Sequence, residues 1–379
     1  MKLKFIFHSS HGKQGYFSYL VAILTLFAIY FSTAKLGLCF DAVSRFATLV
    51  WLPSGIAVAT LLLFGYRLWP GILLGAFLVN LFNGASLFVA VGIGIGNTLE
   101  ALVGTYLLKR QGFRSSLDHL RDILVLVLLA MPLSAFISAT IGVSSLLLGK
   151  VIVLSSYYPT WSAWWPGDTI SILIFTPFLL AWSIWPHAKV SAKRIVEIGI
   201  LAVFVLAVGL IVFLGLLHTD QRNYPMTYMV FPPLIWTALR FGPRGAISAI
   251  FALVILAIVG TRQDLTSFSA GSLSERLFVL QSRMVIIAVT TIILAAVMAE
   301  RRELEQRKQE HIWHWRQSIR SPSYPIIAPW LPRSIRNWNG LDTTSVFAHS
   351  CFSISIISKR SMMATVMRLV MQCCESLLA

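Results

Sequence analysis

Two carboxylic acids stand where ionised groups are hard to accommodate. Glu100 interrupts the apolar run 87–108, and Asp168 follows Gly167 at the head of the apolar run 167–186. An unpaired charge at the centre of a membrane helix costs at least about 2.5–3.5 kcal/mol, so Glu100 must be neutral, paired or turned toward a polar cavity. Asn80 and Asn97 are its polar company in the same half of the chain. Two roles fit such a residue equally well: a ligand or proton site, or a hydrogen bond that joins neighbouring helices. Asp168 is expected to cap the N-terminus of the helix that follows it, with a ligand cation as the second reading.

Other groupings point to no reaction. Gly92, Gly94 and Gly96 imitate part of a dinucleotide-binding loop, but no strand precedes them in a soluble βαβ unit, so they read as packing glycines. His311 and His314 could share a helical face yet lack further ligands, and no metal or cofactor is expected. The four cysteines (Cys39, Cys351, Cys373 and Cys374) form no metal spacing and no disulfide framework. No arrangement of nucleophile, base and acid suggests an enzyme.

The elements that position these residues are dictated by composition. Of 379 residues 57% are hydrophobic and 12% charged, and the mean hydropathy is +0.76. Soluble domains carry about 25% charged residues, because their surface faces water. Here much of the surface must face lipid. The net charge is +16, but Lys and Arg are scattered between apolar runs with no aromatic-interleaved stripe, so a lipid bilayer rather than nucleic acid is the expected partner.

Apolar runs fall at about 17–36, 47–66, 70–86, 87–108, 122–148, 167–186, 195–217, 226–240, 245–260 and 279–298. Runs 70–86 and 245–260 are short for a crossing, which predicts an all-α polytopic transmembrane helix bundle of about 8–10 spans. Lys2, Lys4 and Lys13 imitate a signal peptide, but the run that follows is too long and has no A-x-A end, so it reads as a retained first span. Lys and Arg gather in alternate loops: Arg67; Lys109, Arg110, Arg114 and Arg121; Lys189, Lys193 and Arg194; Arg240 and Arg244; Arg301 and Arg302. The intervening loops hold fewer (Lys35, Arg45, Lys150, Arg222, Arg262 and Arg276). This bias predicts an inner-membrane protein with both termini in the cytoplasm. The Trp- and Tyr-rich stretch 151–166 then reads as a loop on the far side, or as part of an interfacial aromatic belt.

From residue 299 the chemistry changes. Glu300, Arg301, Arg302, Glu303, Glu305, Arg307, Lys308 and Glu310 mix both signs without Gly or Pro, which predicts that the last span continues as a short cytoplasmic helical stalk, a surface on which two copies could pair. Beyond it the pattern breaks down into an irregular C-terminal tail: residues 311–379 hold four tryptophans and only two acids, Asp342 and Glu375, and carry no sustained periodicity. The expected organisation is a cytoplasmic N-terminus over 1–15, a membrane domain over 16–298, a signalling helix over 299–310 and a degenerate tail over 311–379, the last read as the product of a frameshift or truncation.

Stretch 49–80 carries Trp51, Pro53, Gly55, Gly65, Arg67, Trp69, Pro70, Gly71, Gly75 and Asn80. Pro53 and Gly55 allow a break at a helix entrance, and Gly71 with Gly75 allows two helices to approach closely. Together with Gly96-Asn97-Thr98-Leu99-Glu100, Trp164-Trp165-Pro166-Gly167-Asp168 before Pro177, Trp236 with Arg240-Phe241-Gly242, and Leu280-Gln281 leading to Ala299-Glu300-Arg301-Arg302, this set resembles the first type of bacterial membrane-associated sensor domain, the MASE family. The resemblance covers about residues 15–305; one departure is Ser171, where many relatives have Gly. It implies a sensory role for an unidentified stimulus, ahead of diguanylate cyclase, phosphodiesterase or histidine kinase modules. No such module is legible downstream, and Glu100-Ala101-Leu102, which spells a phosphodiesterase signature, lies inside an apolar span.

The reading that follows is a membrane signal-transduction domain without its output module, whose polar pocket is lined by Trp51, Asn80, Asn97, Glu100, Trp165 and Asp168. A transporter or permease component is the rival, since an intramembrane acid and broken helices also suit translocation; an inert membrane remnant is a third reading.

Overall fold

A computed structural model of the chain describes residues 13–38, 42–43, 46–183, 191–214, 226–262 and 273–320. Expectations for Lys2, Lys4, Cys39, Arg45, Lys189, Arg222 and the tail from 321, with its three cysteines, lie outside the described residues. Each apolar run has a helix at its centre. In chain order these are α1 (Lys13–Leu38), α2 (Leu52–Phe64), α3 (Trp69–Phe82), α4 (Leu87–Arg110), α5 (Leu120–Val125), α6 (Met131–Leu148), α7 (Tyr157–Ser183), α8 (Ala192–Leu214), α9 (Phe231–Arg262) and α10 (Leu273–Arg320). A two-residue antiparallel ladder, Ala42–Val43 with Ala47–Thr48, shapes the approach to α2. The chain divides into two compact units, Met1–Leu304 and Glu305–Ala379, and every residue of the site described below belongs to the first.

Among the described residues six helical stretches have the length and apolarity to cross a bilayer: Tyr16–Leu38, Leu87–Arg110, Leu120–Leu148, Ala192–Leu214, Tyr228–Gly260 and Phe278–His314. Their outward side chains are apolar too. Phe82, Leu128 and Val203 are each more than two-thirds exposed, an arrangement that water would penalise and lipid does not. This is a multi-pass membrane protein.

Packing places α4 at the centre, between α3 and α6, with α2 against both α4 and α7. Close approach requires small residues at the seams. A Cβ at Gly71 would lie 2.8 Å from the Ile23 carbonyl oxygen, and one at Gly75 2.8 Å from Tyr30 Cδ1, so the expected pair of small residues is what seats α3 on α1. Between α5 and α6 the helix widens into one π turn, Leu126–Ala130, where the Met131 N–H reaches back to the Leu126 carbonyl. Pro132 follows at once; it has no N–H to give, and the wide turn absorbs the break.

One expectation changes and another is kept. Stretch 151–166 is not a loop throughout: α7 begins at Tyr157, and residues 157–166 are helical despite Pro159 and Pro166. The stretch Tyr228–Gly260 is not one straight span either. Gly242 has φ 66° and ψ −159°, outside the helical region and strained for any residue with a side chain. Eight residues of straight helix rise about 12 Å, yet a Cβ at Gly245 would lie 3.1 Å from Thr237 Cγ2. The chain therefore reverses at Gly242–Pro243, which preserves the separate runs 226–240 and 245–260. In addition, α10 stays helical to Arg320, ten residues beyond the point where the sequence pattern breaks.

The basic turns are tied to one another. Tyr19 donates to the Arg67 carbonyl at 2.9 Å and Lys109 to the Leu61 carbonyl at 3.0 Å. Glu300 accepts from the Leu120 N–H at 3.3 Å, and Glu303 lies 4.0 Å from His119. Glu197 pairs with Arg240 at 2.5 Å, and Arg302 donates to the Leu239 carbonyl. Turns expected on one side of the membrane thus meet at one end of the bundle.

The seam between α2 and α7 is the tightest near the site: a Cβ at Gly55 would fall on the Ser171 carbonyl and lie 2.7 Å from Phe175 Cβ. Gly55→Ala is expected to destabilise the purified protein by about 1–3 kcal/mol, read as a lower thermal midpoint in detergent. Gly199→Ala, where an added Cβ meets nothing within 4 Å, is expected to leave that midpoint unchanged.

Candidate functional site

The first turn of any helix has N–H groups without a helical partner. In α2 this turn is answered by α7. Ser171 Oγ accepts from the Gly55 N–H at 2.9 Å and donates to the Leu52 carbonyl at 3.1 Å, while Thr176 Oγ1 donates to the Gly55 carbonyl at 3.0 Å. The hydroxyl of Ser171 therefore docks α2 onto α7. The Trp51 N–H completes the seam by donating to the Gly167 carbonyl at 3.2 Å.

With its backbone held in this way, Ser54 turns its side chain inward. Its hydroxyl donates to Glu100 Oε2 of α4 at 2.7 Å and lies 3.3 Å from Asp168 Oδ1 of α7. Trp164, one helical turn before Asp168, donates its indole N–H to Asp168 Oδ2 at 3.0 Å. Glu100 is 1% exposed and Asp168 fully buried. Ser138 of α6 stands beside Asp168 and donates to Asn97 Oδ1 at 3.4 Å. Among the described residues no Lys, Arg or His pairs with either carboxyl, and no donor reaches Glu100 Oε1. The two acids are thus bridged by the neutral Ser54 hydroxyl and stand within hydrogen-bond reach of each other.

Of the residues expected in a pocket, Trp51, Asn97, Glu100 and Asp168 are brought together. Trp51 closes the α1 side, its indole N–H reaching the Tyr30 hydroxyl at 3.4 Å. Asn80 instead gives its amide to the Ala76 carbonyl of its own helix at 2.8 Å. Trp165 stacks on Trp161 at 5.4 Å between centroids and donates to the Pro132 carbonyl at 3.0 Å, pinning the wide turn before α6. The tryptophan at the carboxyls is Trp164. Nor does Asp168 cap a helix: it lies well inside α7, which begins at Tyr157.

Ser54, Ser138, Trp164 and Gln281 were not expected. The spacing of Trp164 and Asp168, four apart, would have paired them had 157–166 been read as helix. Gln281 stands in the Leu280-Gln281 stretch that carries the resemblance, but its spacing pointed to no partner. It is fully buried in α10, and its amide donates to the Leu49 carbonyl at 3.0 Å and the Ala163 carbonyl at 3.1 Å, with the Thr48 carbonyl at 3.4 Å. One side chain on the last span therefore grips both stretches of chain that lead into the site, one toward Ser54 and the other toward Trp164 and Asp168.

Ser54→Ala would leave Glu100 Oε2 buried without its donor, and the expected loss is about 1–3 kcal/mol, measured by thermal or denaturant unfolding in detergent. Thr60→Ala, which removes a hydroxyl bonded only to the Ile56 carbonyl of its own helix at 2.8 Å, is expected to cost much less.

A family model described as MASE1 matches residues 20–302. No curated protein and no solved structure matches the chain. The family match covers well over half of the sequence and takes in the carboxyl pair, the reversal at Gly242 and Gln281. The chain belongs to the MASE1 family of membrane-associated sensor domains.

Proposed function

We infer that this chain is a signal-input domain in which the state of the site around Glu100 and Asp168 is passed to α10 through Gln281. The observation that carries this reading is the three-carbonyl grip of Gln281. Because the amide has two N–H groups and spans the two stretches that lead to Ser54 and Asp168, a displacement of α2 against α7 breaks or reshapes its bonds. α10 must then shift or turn.

The far end of the same helix is held differently. Glu300 accepts from the first turn of α5, Glu303 faces His119, and Arg302 reaches the turn of α9. Of these, the part-exposed Glu303–His119 pair is worth up to about 1 kcal/mol, and the other two are single bonds from a charged side chain to a backbone group, so the set can exchange as α10 moves. Signalling requires two states that a stimulus binds unequally; a buried, rigid grip above and weak, exchangeable contacts below suit a helix that carries such a difference. The charged residues after Glu300 are the surface through which two copies would pair.

The test is a fusion that places a diguanylate cyclase module after Arg320. Gln281→Leu is expected to change basal cyclic-di-GMP formation several-fold at equal membrane abundance. Ser282→Ala, whose hydroxyl only meets its own helix at Phe278, is expected to change nothing. Equal output from the Gln281 variant and the parent would remove the residue from the path. Substrate uptake by vesicles holding the unfused chain, abolished by Glu100→Gln, would favour a transporter instead.

We also place the basic end of the bundle, with both termini, in the cytoplasm of an inner membrane. A cysteine at position 114 is expected to resist a membrane-impermeant maleimide in intact cells, whereas one at position 150 reacts. The reverse labelling would invert the orientation.

A further inference from the structure

Donors at the site can be counted against acceptors. Glu100 and Asp168 bring four carboxyl oxygens, and their near donors are the Ser54 hydroxyl and the Trp164 indole, both neutral, while the Ser138 hydroxyl beside Asp168 gives its proton to Asn97. Ser54 has one proton and stands within hydrogen-bond distance of both acids, at 2.7 and 3.3 Å. If it donates to Glu100, its contact with Asp168 Oδ1 is a hydrogen bond only when Asp168 itself carries a proton. If it donates to Asp168, Glu100 must carry one. Two ionised carboxylates would face each other without a cation, deep in the bundle, where each unpaired charge costs several kcal/mol.

We propose that Glu100 and Asp168 form a proton-binding site that holds a single proton at neutral pH, relayed through the hydroxyl of Ser54. In one arrangement the Trp164 N–H donates to Asp168 Oδ2, Asp168 Oδ1–H to Ser54 Oγ, and Ser54 O–H to Glu100 Oε2. In the other, Glu100 Oε2–H donates to Ser54 Oγ and Ser54 O–H to Asp168 Oδ1. The two differ only in the direction of the Ser54 hydroxyl and in which acid bears the proton. No atom need move far, and the pair keeps one negative charge in both.

The second observation is Glu100 Oε1. It is buried on a residue that is 1% exposed, and no donor answers it. A carboxyl oxygen that no donor answers is expected where fewer protons than acceptors are present. A metal ion fits less well: the described residues hold no group of three or more His, Cys, Asp or Glu side chains, and the Ser54 and Trp164 hydrogens point at the oxygens an ion would need. Besides each other, the acids face one titratable group among the described residues, the Tyr30 phenol of α1. α2, α3 and α6 contain no titratable side chain, and α10 brings the neutral Gln281 to the adjoining backbone.

As the chemistry by which the domain senses, the proposal rests on the sensory reading above. The experiment measures the proton itself, so the two can fail separately. The full chain in lipid nanodiscs is examined by infrared spectroscopy at neutral pH, where exposed acids are ionised. One protonated-carboxyl C=O band is expected, with the intensity of a single group, moving in D2O and disappearing at high pH. It is expected to vanish in Glu100→Gln/Asp168→Asn. Trp164→Phe, which removes one donor and keeps both acids, is expected to shift the band, and this variant serves if the double variant does not fold. A spectrum without the band, a band of two-carboxyl intensity, or a band unmoved by these substitutions overturns the proposal. A proton site that is confirmed while the Gln281 fusion shows no change would leave the pair standing and the signalling path refuted.

Discussion

Inside a bundle of apolar helices no water is at hand to complete a hydrogen bond, so each polar atom has to be answered by another part of the chain. The arrangement around α2 follows from that constraint. A helix that starts inside the bundle exposes several N–H groups, and the hydroxyls of Ser171 and Thr176 together with the Gly167 carbonyl meet the polar atoms there. They can do so only because Gly55 brings the two backbones together. The same docking aims Ser54 at Glu100 and Asp168. Gln281 obeys the rule from the other side, answering carbonyls that the irregular chain before α2 leaves open.

Much of this was legible in the residues, and what was not has a physical reason. Hydropathy located every helix centre because lipid imposes one requirement on all of them. Gly71 and Gly75 announced the seam between α3 and α1. Stretch 151–166 misled because its tryptophans, tyrosines and two prolines are what an interfacial loop also contains; tertiary contacts, not local preference, make 157–166 helical. Reading Asp168 as a cap followed from that error, as did choosing Trp165 over Trp164, since only a helix running through both positions distinguishes their directions. Gln281 was beyond reach: a lone amide in an apolar span says that it needs partners, not that they are three carbonyls more than a hundred residues away in sequence. Ser54 was hidden for a similar reason, because a serine in the first turn of a helix ordinarily serves its own backbone.

Membership of the MASE1 family assigns the chain to the membrane sensors, and its buried polar site is joined to the helices around it. The bonds that define the site run between elements, from α2 to α4, from α2 to α7 and from α10 to both the chain before α2 and the first turns of α7. Few of the polar side chains there are satisfied wholly within their own helix. A change at any one of them therefore alters how helices sit against each other before it alters any helix itself, the kind of discrete repacking through which small local events become shifts of whole elements.

The stretch Tyr66–Phe82, the short apolar helix on the outer side of α4, rises about 25 Å, against a hydrocarbon thickness of about 30 Å. Leu74, Leu81 and Phe82 on it face outward, so the acyl chains beside this helix must shorten or disorder to cover it, at a fraction of a kcal/mol per Å. Beside this helix the bundle asks for a thinner bilayer than beside its longer spans. A membrane of longer-chain or sterol-like lipids would press unevenly on it, and that pressure falls on the helix whose small residues seat α1, next to the span that carries Glu100.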